Sequence, residues 1–129
     1  MSLTILVIDD DRPVRVMLGR LLEPYGFRVS LAGSAAAARG LLDTDAPDLV
    51  VTDVVMPGES GIELRRYLAE YRPGLTVILM SGFSSEEPAR VADEVPNTYF
   101  LQKPFPPAAL IDLVLGALGS QRDEIAPAG

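Results

Sequence analysis

The chain has no cysteine and no histidine. The first absence excludes a disulfide framework or a thiolate metal site, and the second excludes imidazole ligands and Ser-His catalysis. Chemistry is left to carboxylate, hydroxyl, amine and backbone groups. Positive charge is also scarce, with 11 Lys and Arg against 18 Asp and Glu and a net charge of −7 at pH 7. Nucleic-acid binding needs clustered cations that neutralise phosphates, so no nucleic-acid partner is expected. No apolar stretch approaches the roughly 20 residues needed to span a bilayer, and the chain opens into a strand-like run without a basic region or cleavage site. No membrane partner is expected, and a cytoplasmic location follows by default.

What is present fits one globular domain. A chain of 129 residues that is 48% apolar and 22% charged can bury roughly two-thirds of the surface its unfolded form exposes. Five short apolar runs alternate with five helix-like segments, the pattern of a doubly wound α/β fold with a parallel sheet covered on both faces. The strand candidates are residues 3–8, 27–31, 48–52, 75–80 and 98–102. The second alternates Phe27, Val29 and Leu31 with Arg28 and Ser30, which suits an edge strand. The first, third and fourth are continuously apolar and read as central.

Helix signals fall between these runs. Pro13 stands near the start of the first helix, with Val14, Leu18, Leu21 and Leu22 at helical spacing before Pro24 and Gly26. Asp11 is assigned as its cap and Ser34 as the cap of an Ala-rich second helix. Ser60 and Glu63 have capping-box spacing, and Leu64, Leu68 and Tyr71 continue one face until Arg72-Pro73-Gly74. The fourth segment, 85–94, carries Pro88 and few large apolar residues, so it should be short and mobile. Pro106 and Pro107 open the last helix, with Leu110, Val114, Leu115 and Leu118 as its stripe. The domain is placed at 1–119, and 120–129 reads as a flexible tail.

Polar residues close the apolar runs. Asp9 and Asp10 end the first, Asp53 the third, Ser81 the fourth and Lys103 the fifth. In open parallel sheets ligands bind outside the carboxyl ends of the strands, so all five residues should meet at one edge. Capping needs one carboxylate, whereas three converge here. Two unit charges at 4 Å repel by about 4 kcal/mol at an effective dielectric near 20, more than one Lys can offset. A hard divalent cation can, and magnesium suits such a set. Asp9-Asp10-Asp11 lacks the spaced ligands of a calcium loop.

At these positions the chain resembles a family. Ile5-Leu6-Val7-Ile8-Asp9-Asp10-Asp11, Asp53-Val54-Val55-Met56-Pro57-Gly58-Glu59-Ser60-Gly61, Met80-Ser81-Gly82 and Phe100-Leu101-Gln102-Lys103-Pro104-Phe105 are similar to the receiver domain of response regulators in bacterial two-component signalling. The likeness covers about residues 3–118, and its wording is closest to receivers of hybrid histidine kinases. It implies a single five-stranded, flavodoxin-like sheet in strand order 2-1-3-4-5. It also implies that Asp53 is the phosphoacceptor, taking a phosphoryl group from a sensor histidine kinase or a histidine phosphotransfer protein. Mg2+ would be held by Asp9, Asp10, Asp53 and the backbone carbonyl of Val55, with Asp10 direct and Asp9 largely through water. Lys103 would pair with Asp53 and later with a phosphoryl oxygen, across a cis bond to Pro104. Ser81 would be the switch donor that draws in the loop 81–84, and Phe100 would rotate inward. For Phe100 an ordinary core role stands beside that reading, and Met56 reads as core. The fourth helix, fifth strand and fifth helix would form a dimerisation face.

The function so implied is a phosphorylation-activated signalling receiver, not an enzyme beyond assisting its own phosphoryl transfer and slow autodephosphorylation. Haloacid-dehalogenase phosphatases also pair an Asp nucleophile with magnesium on a parallel sheet. They carry a second Asp two residues on, where this chain has Val55. A receiver-like scaffold that works without phosphorylation usually loses an acidic or Lys position, and here all are kept.

Overall fold

The computed structural model describes residues 2–82 and 86–125, with side chains as far as 119. Strands and helices alternate as β1 (Thr4–Ile8), α1 (Arg12–Leu22), a 3-10 turn (Glu23–Tyr25), β2 (Arg28–Ala32), α2 (Ala35–Asp45), β3 (Leu49–Asp53), α3 (Gly61–Tyr71), β4 (Thr76–Ser81), α4 (Glu86–Glu94), β5 (Thr98–Gln102) and α5 (Pro107–Ile125). All pairings are parallel, in the order β2-β1-β3-β4-β5. The alternating pattern thus yields the expected doubly wound sheet, with β2 at one edge and β1, β3 and β4 inside.

Strand alternation splits the core into two layers. Leu6, Ile8, Val50, Val77 and Leu79 face one way and pack with α2, α3 and α4 through Leu42, Leu64, Leu68 and Val91. Ile5, Val7, Val51, Ile78 and Met80 face the other way, against Leu18 and Leu22 of α1 and Leu110 and Val114 of α5. Both faces of β1 are fully buried, which is why its sequence shows no polar alternation. Among the described residues no helix is long and apolar enough to cross a membrane.

Several ends differ from the sequence reading. Asp11 occupies the N-cap position of α1, but its side chain makes no capping bond. Its N–H instead donates to Asp9 Oδ1 at 2.9 Å. Ser34 caps α2 and Ser60 with Glu63 closes the capping box, as expected. On α3, Leu64 and Leu68 are buried, but Tyr71 lies exposed, stacked on Tyr67 with its hydroxyl on Asp43. Pro88 is in the first turn of α4, where its missing N–H has no helical carbonyl to serve. The tail expected from 120 is helical through Ile125. Gln, Arg and Glu there favour a helix, which outweighs the cost of Gly116 and Gly119. Residues 126–129 lie outside the described residues.

Arg65 has no counterpart in the sequence reading. It sits on α3 at 1% exposure, among the largest buried side chains. Its guanidinium donates to the carbonyl of Leu75 at 3.3 Å and of Pro96 at 2.9 Å. These carbonyls precede β4 and β5, so one cation ties α3 to the amino ends of two strands, opposite the acidic edge. Arg65→Ala should cost about 3 kcal/mol, from two orphaned carbonyls and a void. Urea denaturation reads this directly; a loss below about 1 kcal/mol would show that water replaces the guanidinium.

Candidate functional site

Strand register builds the acidic edge. Ile8 pairs with Thr52, so Asp9 emerges beside Asp53, the last residue of β3. Asp53 pairs with Met80, and Ser81 closes β4 next to it. Ser81 pairs with Gln102, and its carbonyl accepts from the Lys103 N–H at 2.9 Å. The Lys103-Pro104 peptide is cis, as the resemblance implied. Carboxylate oxygens of Asp9, Asp10 and Asp53 lie within 4.8 Å of one another. Burial is graded across the three: Asp9 is buried, Asp53 partly buried and Asp10 exposed.

Lys103 does more than pair with Asp53. Its ammonium is 3.4 Å from Asp53 Oδ2 and 3.2 Å from Asp9 Oδ2, bridging the two carboxylates. Burial pulls against the ammonium, but the neighbouring Asp53 and Asp9 outweigh it and hold Lys103 above the usual lysine range. Burial also lifts the Asp53 carboxyl; Lys103 opposes that shift, Asp9 adds to it, and the result stays above the ordinary carboxylate value. Asp53 is therefore a partly desolvated carboxylate whose ionisation is held back by burial, with Lys103 the stronger of the two neighbouring charge effects and opposing that shift. Three clustered carboxylates against one ammonium form a set of hard oxygens that a magnesium ion fits.

The loop after Asp53 is held from several sides. Met56 is buried, Gly58 has a φ of 79°, and Glu59 pairs with Arg39 of α2 at 2.5 Å. Gly61 opens α3 with its N–H on the Val54 carbonyl at 2.9 Å. A Cβ at Gly61 would stand 2.2 Å from the Asp53 carbonyl oxygen, so α3 packs directly on the backbone of Asp53. Val55 is 54% exposed in this loop.

The other site residues fall into place differently. Ser81 is 1% exposed, and its Oγ has no hydrogen-bond partner among the described residues. Of the loop 81–84, Phe83 and Ser84 lie outside the described residues. Phe100 is not at the acidic edge; it is partly buried on the α4 side of the sheet, against the layer that contains Val91. Arg15 was not singled out by the sequence, yet its Nη1 donates to the Asp9 carbonyl at 3.1 Å. An apolar pocket of about 490 Å³ opens beside Lys103, lined by Val14, Met17, Leu18, Gly82, Pro104 and Phe105.

The family model for the response regulator receiver domain matches residues 5–115. The transcriptional regulatory protein FixJ of Azorhizobium caulinodans is 40% identical over 126 residues, covering 95% of this chain and 58% of that protein. The DNA-binding transcriptional regulator NtrC of Bradyrhizobium is 36% identical over 122 residues, 95% of this chain and 25% of that protein. The chain thus spans between a quarter and three-fifths of these relatives. Among solved structures, a response regulator receiver protein from Sinorhizobium medicae superposes with a TM-score of 0.83 at 31% identity, over 93% of this chain and 97% of that one.

The raised pKa of Asp53 has a thermodynamic sign. Folding makes its ionised form less favourable, so the group costs stability at neutral pH, and the cost is relieved as pH falls through the folded pKa toward the unfolded value near about 3.9. Asp53→Asn should therefore raise the melting temperature at pH 7 without divalent cations, and the gain should vanish below about pH 4. A melting temperature lowered at pH 7 would show that the Lys103 contact outweighs desolvation.

Proposed function

The chain belongs to the response regulator receiver family, and on that premise we propose that Asp53 accepts a phosphoryl group from a phosphohistidine on a partner protein. The observation that carries this reading is the desolvated Asp53 carboxylate between Lys103 and the Asp9-Asp10 pair. An Asp53 oxygen attacks phosphorus, the bond from phosphorus to the partner's imidazole nitrogen breaks, and its electron pair stays on that nitrogen. The product on this chain is an acyl phosphate. The chain has no histidine, so the donor is a separate group, in a sensor histidine kinase or a histidine phosphotransfer protein. The apolar pocket beside Lys103 supports docking of such a partner over the acidic edge. The domain is a phosphoacceptor rather than a classical enzyme, contributing only to its own phosphorylation and slow dephosphorylation. A cytoplasmic location belongs to the same reading.

Mg2+ would be held by Asp10 and Asp53, the Val55 carbonyl and, through water, Asp9, and when bound it supplies charge neutralisation for the phosphoryl oxygens. The residues of the chain carry the remaining steps. Lys103 stays fixed by Asp9 while its hold on Asp53 is exchanged for a phosphoryl oxygen. Ser81 is ready to donate, because its buried hydroxyl has no other partner among the described residues. Donation to the phosphoryl group satisfies it, which favours the phosphorylated state by a contact the resting state lacks. Phe100, packed on the α4 side of β5, carries that shift to the face of α4, β5 and α5, where a second copy would dock.

Incubation with acetyl phosphate and magnesium should add one phosphoryl mass to the intact protein, and Asp53→Ala should abolish the gain. No added mass in the native chain, or its persistence in the variant, would overturn the reading. Val55 is exposed and apolar, unable to orient a water attacking the acyl phosphate. Val55→Asn should speed dephosphorylation by about tenfold, the worth of one hydrogen bond of about 1.4 kcal/mol that orients the attacking water. An unchanged decay rate would remove Val55 from control of phosphoryl lifetime.

A further inference from the structure

Arg15 has no part in the chemistry above, yet it is bound to the backbone of the acidic pair. It lies in the first turn of α1, and its Nη1 donates to the Asp9 carbonyl at 3.1 Å. That carbonyl belongs to the peptide joining Asp9 to Asp10, so the bond fixes the plane from which the Asp10 side chain departs. The guanidinium also passes close to Gly33 after β2, where an added Cβ would stand 3.3 Å from Nη1 and 3.5 Å from Cζ. Asp9 is tied at its other atoms as well: its N–H donates to the Ala32 carbonyl at 3.1 Å and its Oδ1 accepts from Asp11 at 2.9 Å. The Asp9 Oδ2 faces Lys103 at 3.2 Å. Asp10, by contrast, is exposed and takes its direction from the peptide that Arg15 holds.

We propose that Arg15 is a positioning residue that sets the orientation of the Asp9-Asp10 peptide for cation binding, with Gly33 as the gap that admits its guanidinium. The inference rests on the reading of the acidic edge as a magnesium site. Positioning and charge give opposite signs here. A guanidinium beside a cation site repels the cation, so its removal on charge grounds alone would tighten binding. Loss of a positioning contact behind a ligand weakens metal binding, typically by about 10-fold or more.

Titration of the full chain with magnesium chloride, followed by amide chemical shifts, separates these cases. Native protein should show saturable shifts at residues 9, 10 and 53. Arg15→Ala should raise the dissociation constant about 10-fold, with its thermal unfolding midpoint without cation close to the native value. Gly33→Ala keeps the charge, makes the guanidinium give by a few tenths of an ångström and should weaken binding to a smaller extent, about threefold. Unchanged or tighter binding in Arg15→Ala would overturn the proposal, as would native affinity in Gly33→Ala if Arg15→Ala does not fold. A native chain that shows no magnesium-dependent shifts would instead overturn the metal site itself.

Discussion

The ammonium of Lys103 between Asp9 and Asp53 is the contact on which the site depends. A parallel sheet brings every strand out at the same edge, so residues that follow β1, β3, β4 and β5 are neighbours in space although far apart in sequence. Here that edge collects three carboxylates, and without a counter-charge their repulsion would oppose the register that places them together. Lys103 reaches both the buried and the half-buried member. One ammonium compensates three carboxylates in part only, and burial keeps the Asp53 carboxyl above its ordinary value despite it. Such a cluster of hard oxygens could hold a metal ion.

The same edge joins chemistry to shape. Gly61 lets the start of α3 touch the backbone of Asp53, and the Glu59 to Arg39 pair ties the intervening loop to α2. Ser81 lies buried, and its hydroxyl has no hydrogen-bond partner among the described residues. On the far side of β5, Phe100 is only partly buried against the α4 layer. At the other end of the sheet Arg65 fastens α3 to the chain before β4 and β5. The amino ends of the sheet are thereby anchored while its carboxyl edge carries the groups expected to move.

Much of this was legible in the sequence because it depends on short-range pattern. Continuously apolar runs identified β1, β3 and β4 as central, alternation at residues 27–31 identified β2 as an edge, and polar residues closing the runs located the acidic edge. Contacts between elements distant in sequence were not legible. Asp9 as the nearer partner of Lys103, the backbone bond of Arg15 and the approach of Gly61 to Asp53 all arise from packing. An arginine on a helix reads as solvated, and nothing in the surrounding sequence marks Arg65 as buried. Asp11 sits at the cap position without a side-chain capping bond, and its N–H donates to the Asp9 carboxylate. The extent of α5 was missed because glycine and serine near residue 119 outweighed the helix formers that follow.

Which carboxylate carries the phosphoryl group is the most direct test of the account. Borohydride reduces an aspartyl phosphate to homoserine, so peptide mass mapping after phosphorylation with acetyl phosphate and reduction reads the residue itself. The account predicts homoserine at residue 53 alone. Homoserine at residue 9 or 10, or unmodified aspartate at all three positions, would contradict it.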